Sequence, residues 1–129
     1  MSAHRAVVAT EHAEQVALMR WAAAAVKRYP DLALLFAIPN GGQRHKLVAA
    51  KLRAEGVRPG VPDLCLPAPR GHYHGLFVEM KRTAGGSVSA AQKAWHRELA
   101  ARDYRVAVCR GWEQAQAAIL EYLCMTGVA

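Results

Sequence analysis

VPDLCLPAPRGHYHGLFVEMKR, Val61 to Arg82, is the stretch whose reading decides the fold. Its two ends, VPDLCLP and GLFVEMK, are short apolar runs suited to strands, and the segment between them carries the Pro and Gly of a hairpin connection. Along GLFVEMK successive side chains alternate, so Phe77, Glu79 and Lys81 share one face while Val78 and Met80 take the other. Glu79 and Lys81 then stand about 6–7 Å apart. Asp63, on the neighbouring run, comes within cross-strand reach of Glu79.

Two carboxylates that close repel and desolvate each other unless a cation lies between them. Oxygen-only ligation with open positions suits a hard ion such as Mg²⁺ or Mn²⁺. A lysine beside that ion can orient or deprotonate a water and offset charge on a phosphate under attack. Plainer readings stand next to this one: a Glu-x-Lys pair also occurs on solvated strand faces, and Asp63 after Pro62 also suits an Asx-turn.

Outward from the hairpin, helices alternate with strands. Ser89-Ala90-Ala91-Gln92 has the pattern of a capping box and opens a helix ending near Asp103. YRVAVC then reads as a strand, and a final helix runs from about Trp112 to Leu123. Before the hairpin, Val16, Met19, Ala23 and Val26 recur at helical spacing behind Thr10, which predicts a helix from Glu11 to Tyr29 stopped by Pro30. LALLFAI, Leu32 to Ile38, reads as a buried strand closed by the turn PNGG; QRHKLVAAKLRAEG follows as a second helix capped by Gly56. The predicted order is α β α β β α β α, without internal repeat or linker. It describes one α/β domain over residues 1–129, with its core at about 11–123.

Composition narrows the partners. The 129 residues hold 17 Lys and Arg against 10 Asp and Glu, a formal charge of +7, which favours a polyanion. Three cysteines at unpaired spacing point to a reducing, cytoplasmic setting. No window approaches the apolar length of a membrane span, and the chain opens without a signal-peptide pattern. His72 and His74 lack further ligands at zinc-like spacing, while His12, His45 and His96 are scattered and read as surface residues. Trp21, Trp95 and Trp112 fall at helical positions that suit core or interface. Nucleotide-binding P-loop and nucleophile-elbow patterns are both absent.

GVPDL, FVEMK and Gln92 on the next helix resemble the signature of the PD-(D/E)XK nuclease superfamily, and IPNGGQRH with EHAEQVALMRWA is similar to its VRR-NUC branch. The resemblance runs from roughly Glu11 to Leu123. It implies a restriction-endonuclease-like mixed central sheet flanked by helices, with an αβββαβ core. Asp63 and Glu79 match the metal-binding acids, Lys81 the catalytic lysine, Gln92 the helix glutamine beside the site, and Glu14 the acid on the first helix. The main-chain carbonyl of Met80 is a further implied metal ligand. Gln92 is also explained by the capping box, and Glu14 by the preference for acids at a helix N-terminus.

The resemblance further implies DNA contact at Asn40, Gly41, Gly42 and Arg44, a turn that permits close backbone approach and a bidentate Arg–phosphate pair; Lys46 adds charge nearby. An ordinary strand-to-helix turn accounts for the same residues. Compact relatives in bacteria and their viruses are associated with cutting branched DNA such as four-way (Holliday) junctions, and larger ones with crosslink repair. The expectation is thus a Mg²⁺- or Mn²⁺-dependent endodeoxyribonuclease selective for branched DNA. A non-catalytic junction-binding module and a restriction-type or general nuclease are the alternatives. Two symmetric nicks require two sites, hence a homodimer. Its candidate surfaces are WAAAAV of the first helix and Ile119, Leu120, Tyr122 and Leu123 of the last, all equally suited to core.

Overall fold

A computed structural model describes residues 7–40 and 46–126. Helix α1 (Glu11–Ala25) is followed by a 3₁₀ turn (Pro30–Leu34) and strand β1 (Phe36–Ala37). Then come α2 (Lys46–Ala54), β2 (Leu64–Leu66), β3 (Leu76–Lys81), α3 (Ala90–Ala101), β4 (Arg105–Arg110) and α4 (Trp112–Leu123). The four strands lie in the order β1-β2-β3-β4; the first two pairings are antiparallel and β3–β4 is parallel. A parallel pair needs a crossover, and α3 provides it. The architecture is the mixed α/β sheet flanked by helices that the sequence predicts.

The core forms where apolar stripes meet. Leu18 and Ala22 of α1, Ala115, Ile119 and Tyr122 of α4, and Leu76, Val78 and Met80 of β3 are buried in one cluster. The even-numbered face of β3 therefore packs under α1 and α4. Its odd-numbered face, with Phe77, Glu79 and Lys81, turns to the opposite side. Tyr122 closes the far end by donating its hydroxyl to the Ala68 carbonyl at 2.6 Å. Ile119 and Tyr122, considered as dimer surface, are thus core, and Trp21, Ala25, Val26 and Leu123 pack against the same cluster. No helix among the described residues is long and apolar enough to cross a membrane.

Two expected elements differ in extent. Helix α1 ends at Ala25, not Tyr29, and the run from Leu32 to Ile38 holds only two strand residues. Pro30, with its fixed φ, starts a 3₁₀ turn in which Leu32 donates to Tyr29 and Leu35 to Leu32. Leu32 and Leu35 reach the core at that three-residue spacing. The capping box is present as predicted: Gln92 N donates to Ser89 Oγ at 3.1 Å and Ser89 N to Gln92 Oε1 at 2.8 Å.

Candidate active site

Cross-strand register builds the acidic pair. Leu64 faces Val78 in the β2–β3 ladder, so Asp63, one residue before β2, falls opposite Glu79. Both are buried, Glu79 to 1% exposure. Asp63 is held at both oxygens: Asn40 Nδ2 donates to Oδ1 at 3.2 Å, and Met80 N donates to Oδ2 at 2.7 Å. Burial raises the pKa of Glu79 from 4.5 to about 9, and a hydrogen bond to Asp63 and that residue's charge push the same way against the opposing pull of Lys81. Without a cation, burial and the neighbouring carboxylate therefore favour the protonated form of Glu79.

Lys81 lies two residues beyond Glu79 on the same face and is 5% exposed. Its Nζ donates to Gln92 Oε1 at 2.9 Å, the oxygen that also accepts from Ser89 N. Gln92 thus caps α3 and holds the lysine at once. One helical turn further on, His96 Nε2 lies 3.2 Å from Glu79 Oε1. Burial first, and the Lys81 charge second, lower the pKa of the imidazole, so this contact joins two neutral groups and is a hydrogen bond more than an ion pair. Contrary to the surface reading of its sequence position, the His96 side chain is only 15% exposed.

Helix α1 closes the other side. Glu14 lies on the buried stripe with Leu18 and Ala22, its carboxylate directed at Gly111 where β4 passes into α4. Gly111 sits at φ 88, and a Cβ there would come within 3.0 Å of Glu14 Oε2 and 2.7 Å of Thr83 Cγ2, so only glycine fits. Gly111 N donates to the Lys81 carbonyl at 2.9 Å, which joins the start of α4 to the end of β3. Glu11, one turn earlier on α1, also raises the Glu79 pKa.

Two clefts meet at Asp63 and Asn40. One, of about 540 Å³, is lined by Glu11, His12, Gln15 and Arg20 of α1; the other, of about 480 Å³, by Arg53 of α2, Gly60 and Gln92. Asn40 turns its amide to Asp63. Of the other expected DNA contacts, Gly41, Gly42 and Arg44 lie outside the described residues, and Lys46 is exposed at the start of α2.

The VRR-NUC domain pattern matches residues 3–113 of the chain. The chain belongs to the VRR-NUC family. A solved structure of a VRR-NUC domain protein is similar throughout, with a TM-score of 0.77 at 27% identity over 97% of this chain and 96% of its own. Among curated proteins no match was found. Membership implies a nuclease-type, DNA-processing domain.

For a VRR-NUC domain the donor set bears on which ion is suited. Among the described residues, no three His, Cys, Asp or Glu side chains gather into an all-protein cage. Mg²⁺ and Mn²⁺ do not need one: they suit carboxylate and carbonyl oxygens, and Mg²⁺ in particular takes one or two carboxylates and keeps waters or phosphate oxygens for the rest. Asp63 and Glu79 are such a pair. The Lys81 carbonyl is taken on the β4 side, so Met80, one residue back, turns its main-chain groups to the Asp63 side, where its N–H already bonds. The residue that sequence reasoning missed is His96. Its signal was the four-residue step from Gln92, which puts both on one face of α3.

Proposed function

We propose that the chain is a divalent-metal-dependent DNA endonuclease, selective for branched DNA such as four-way junctions and acting as a homodimer. The observation that carries this reading is the buried Lys81 side chain, fixed by Gln92 on the same strand face as the buried Asp63–Glu79 pair. A protein that only binds an anionic backbone gains nothing from two buried carboxylates, which favours the enzyme over a binding module.

Asp63, Glu79 and the Met80 carbonyl are the residues to hold Mg²⁺ or Mn²⁺, with Glu14 near the same strand end. When bound, the ion supplies Lewis-acid polarisation of the phosphate and lowers the pKa of water. Asn40 and Met80 N keep Asp63 in one orientation. Lys81 offsets charge on the phosphate and assists the attacking water, and Gln92 prevents its ammonium from swinging toward the carboxylates. Junction selectivity and the dimer rest on substrate geometry, since one such site cuts one strand.

Incubation with Mg²⁺ or Mn²⁺ and linear, flap and four-way DNA tests the reading. Cleavage is expected to be strongest on branched DNA and absent in excess chelator. Glu79→Gln and Lys81→Met are each expected to lower the rate at least about 10²–10³-fold, while DNA binding and melting temperature persist. Cleavage surviving in either variant removes the assignment. A strict monomer on junction DNA by light scattering removes paired incision.

A further inference from the structure

Two rows of side chains match across the gap between β3 and α3. On a strand, Glu79 and Lys81 are separated by about 6.6 Å, two residues at about 3.3 Å each. On a helix, Gln92 and His96 are separated axially by about 6 Å, four residues at about 1.5 Å each. The rows run in opposite directions, so Gln92 meets Lys81 at 2.9 Å while His96 meets Glu79 at 3.2 Å. The helix has little freedom to slide out of this register. Its first turn is tied by the Ser89–Gln92 capping box, and Ala91 lies so close to Gly60 that a Cβ there would stand 2.7 Å from the Ala91 carbonyl.

We propose that His96 is a positioning residue for Glu79, fixing one carboxylate oxygen so that the acid presents a set geometry to Asp63 and to a cation held between them. This rests on the reading of Glu79 as a metal-holding acid. A glutamate has three side-chain torsions, and the last is broad. Met80 N and Asn40 fix the Asp63 carboxylate, and His96 does the same for its partner. The imidazole also borders a cavity of about 420 Å³ lined by His72, Tyr73, Arg97, Tyr104 and Arg105, which shares no lining residue with the clefts at Asp63. A shortened side chain at 96 therefore leaves Glu79 facing a space that small molecules can enter.

The test is calorimetric titration of Mn²⁺ into the protein without DNA, beside kcat and KM on junction DNA. His96→Ala is expected to weaken Mn²⁺ binding about ten- to a hundred-fold and to lower kcat with KM unchanged. His96→Gln, whose amide can still donate to Glu79, is expected to recover most of the loss, and added imidazole to restore His96→Gly through the cavity. Wild-type Mn²⁺ affinity in His96→Ala overturns the proposal, as does a loss that neither glutamine nor imidazole recovers. If His96→Ala does not fold, His96→Leu, which keeps bulk but no donor, takes its place: a loss of Mn²⁺ affinity that His96→Gln does not share supports positioning, and wild-type affinity in His96→Leu overturns it. Glu79→Gln in the same titration separates the two levels. If it loses Mn²⁺ while His96→Ala keeps it, only the positioning role fails; if both keep it, the parent reading of Glu79 fails.

Discussion

Helices α2 and α3 both border the cleft at Asp63, yet they are built in opposite ways. Helix α3 is fixed: a capping box at its start, Ala91 against Gly60, Gln92 on Lys81 and His96 on Glu79. Neither helix holds a fully buried residue, but α3 packs on β4 whereas α2 packs against no other helix or strand among the described residues. It offers Lys46, Lys51 and Arg53 instead, and Arg53 faces the cleft that Gln92 shares. Chemistry at a phosphate tolerates displacements of well under an ångström in its acids and its lysine. Contact with a backbone that repeats its charge at every step tolerates far more. One wall carries the precision, and the other can adapt to the shape of the strand it meets.

Two glycines allow the largest test of that contrast. Gly56, after α2, and Gly60, before β2, both have positive φ, at 105 and 90. A Cβ at Gly56 meets nothing within 4 Å, whereas at Gly60 it runs into the main chain of Ala91. Gly56→Ala should therefore cost backbone strain only, about 1 kcal/mol. Gly60→Ala should cost at least about 2 kcal/mol and should also lower cleavage at temperatures where the variant is fully folded, because α3 shifts and takes Gln92 and His96 with it. Equal losses of activity in the two variants would break the distinction between the walls.

The hairpin, the Glu-x-Lys pair and the capping box were legible in sequence because each depends on neighbours close along the chain. Strand alternation sorts Phe77, Glu79 and Lys81 from Val78 and Met80 without knowledge of what covers either face. The Leu32–Ile38 run reads as a strand yet folds in part as a 3₁₀ turn because an unbroken apolar stretch has no period to separate the two, and Pro30 reads as a stop as readily as a start. His96 was missed for a different reason. Its partner is 17 residues away, and only the distance of α3 from the sheet makes the pairing. Helix α1 lines the cleft at Asp63 through Glu11, which sequence resemblance did not name, while Glu14, which it did, lies against Gly111.

A smaller effect sharpens the picture of the fixed side. Glu79 has a folded pKa of about 9 against an ordinary value of 4.5. Between those values the folded protein holds a proton that the unfolded chain has released, so stability falls as pH rises; this contribution is full below 4.5 and is lost as pH rises through about 9. His96 has the opposite sign, since its folded pKa is lowered and its effect is confined to the imidazole range and below. Cys65 and Cys109, both raised from 9.0, enter only toward the alkaline end. Melting of the metal-free protein between about pH 7 and 8 should thus show a downward slope that Glu79→Gln flattens. A slope that persists in the variant would mean that Glu79 does not titrate above its ordinary range in solution.

The smallest expected effect belongs to the adaptable wall. Arg53 is exposed on a helix that packs against no other element among the described residues, so its removal should leave stability within about 0.5 kcal/mol of the parent. Its guanidinium nevertheless lines the cleft with Asp63 and Gln92, where a phosphate next to the one being cut would pass. Each neutralised phosphate releases condensed counterions, and the slope of log K against log salt records how many contacts are made. Arg53→Ala should flatten that slope by about one unit, and saturating junction DNA should restore a cleavage rate close to the parent's, since no group on α3 has moved. If the slope does not change, Arg53 is a solvated surface residue. If kcat falls together with affinity, α2 holds the substrate for the chemical step, and the two walls differ less than their packing implies.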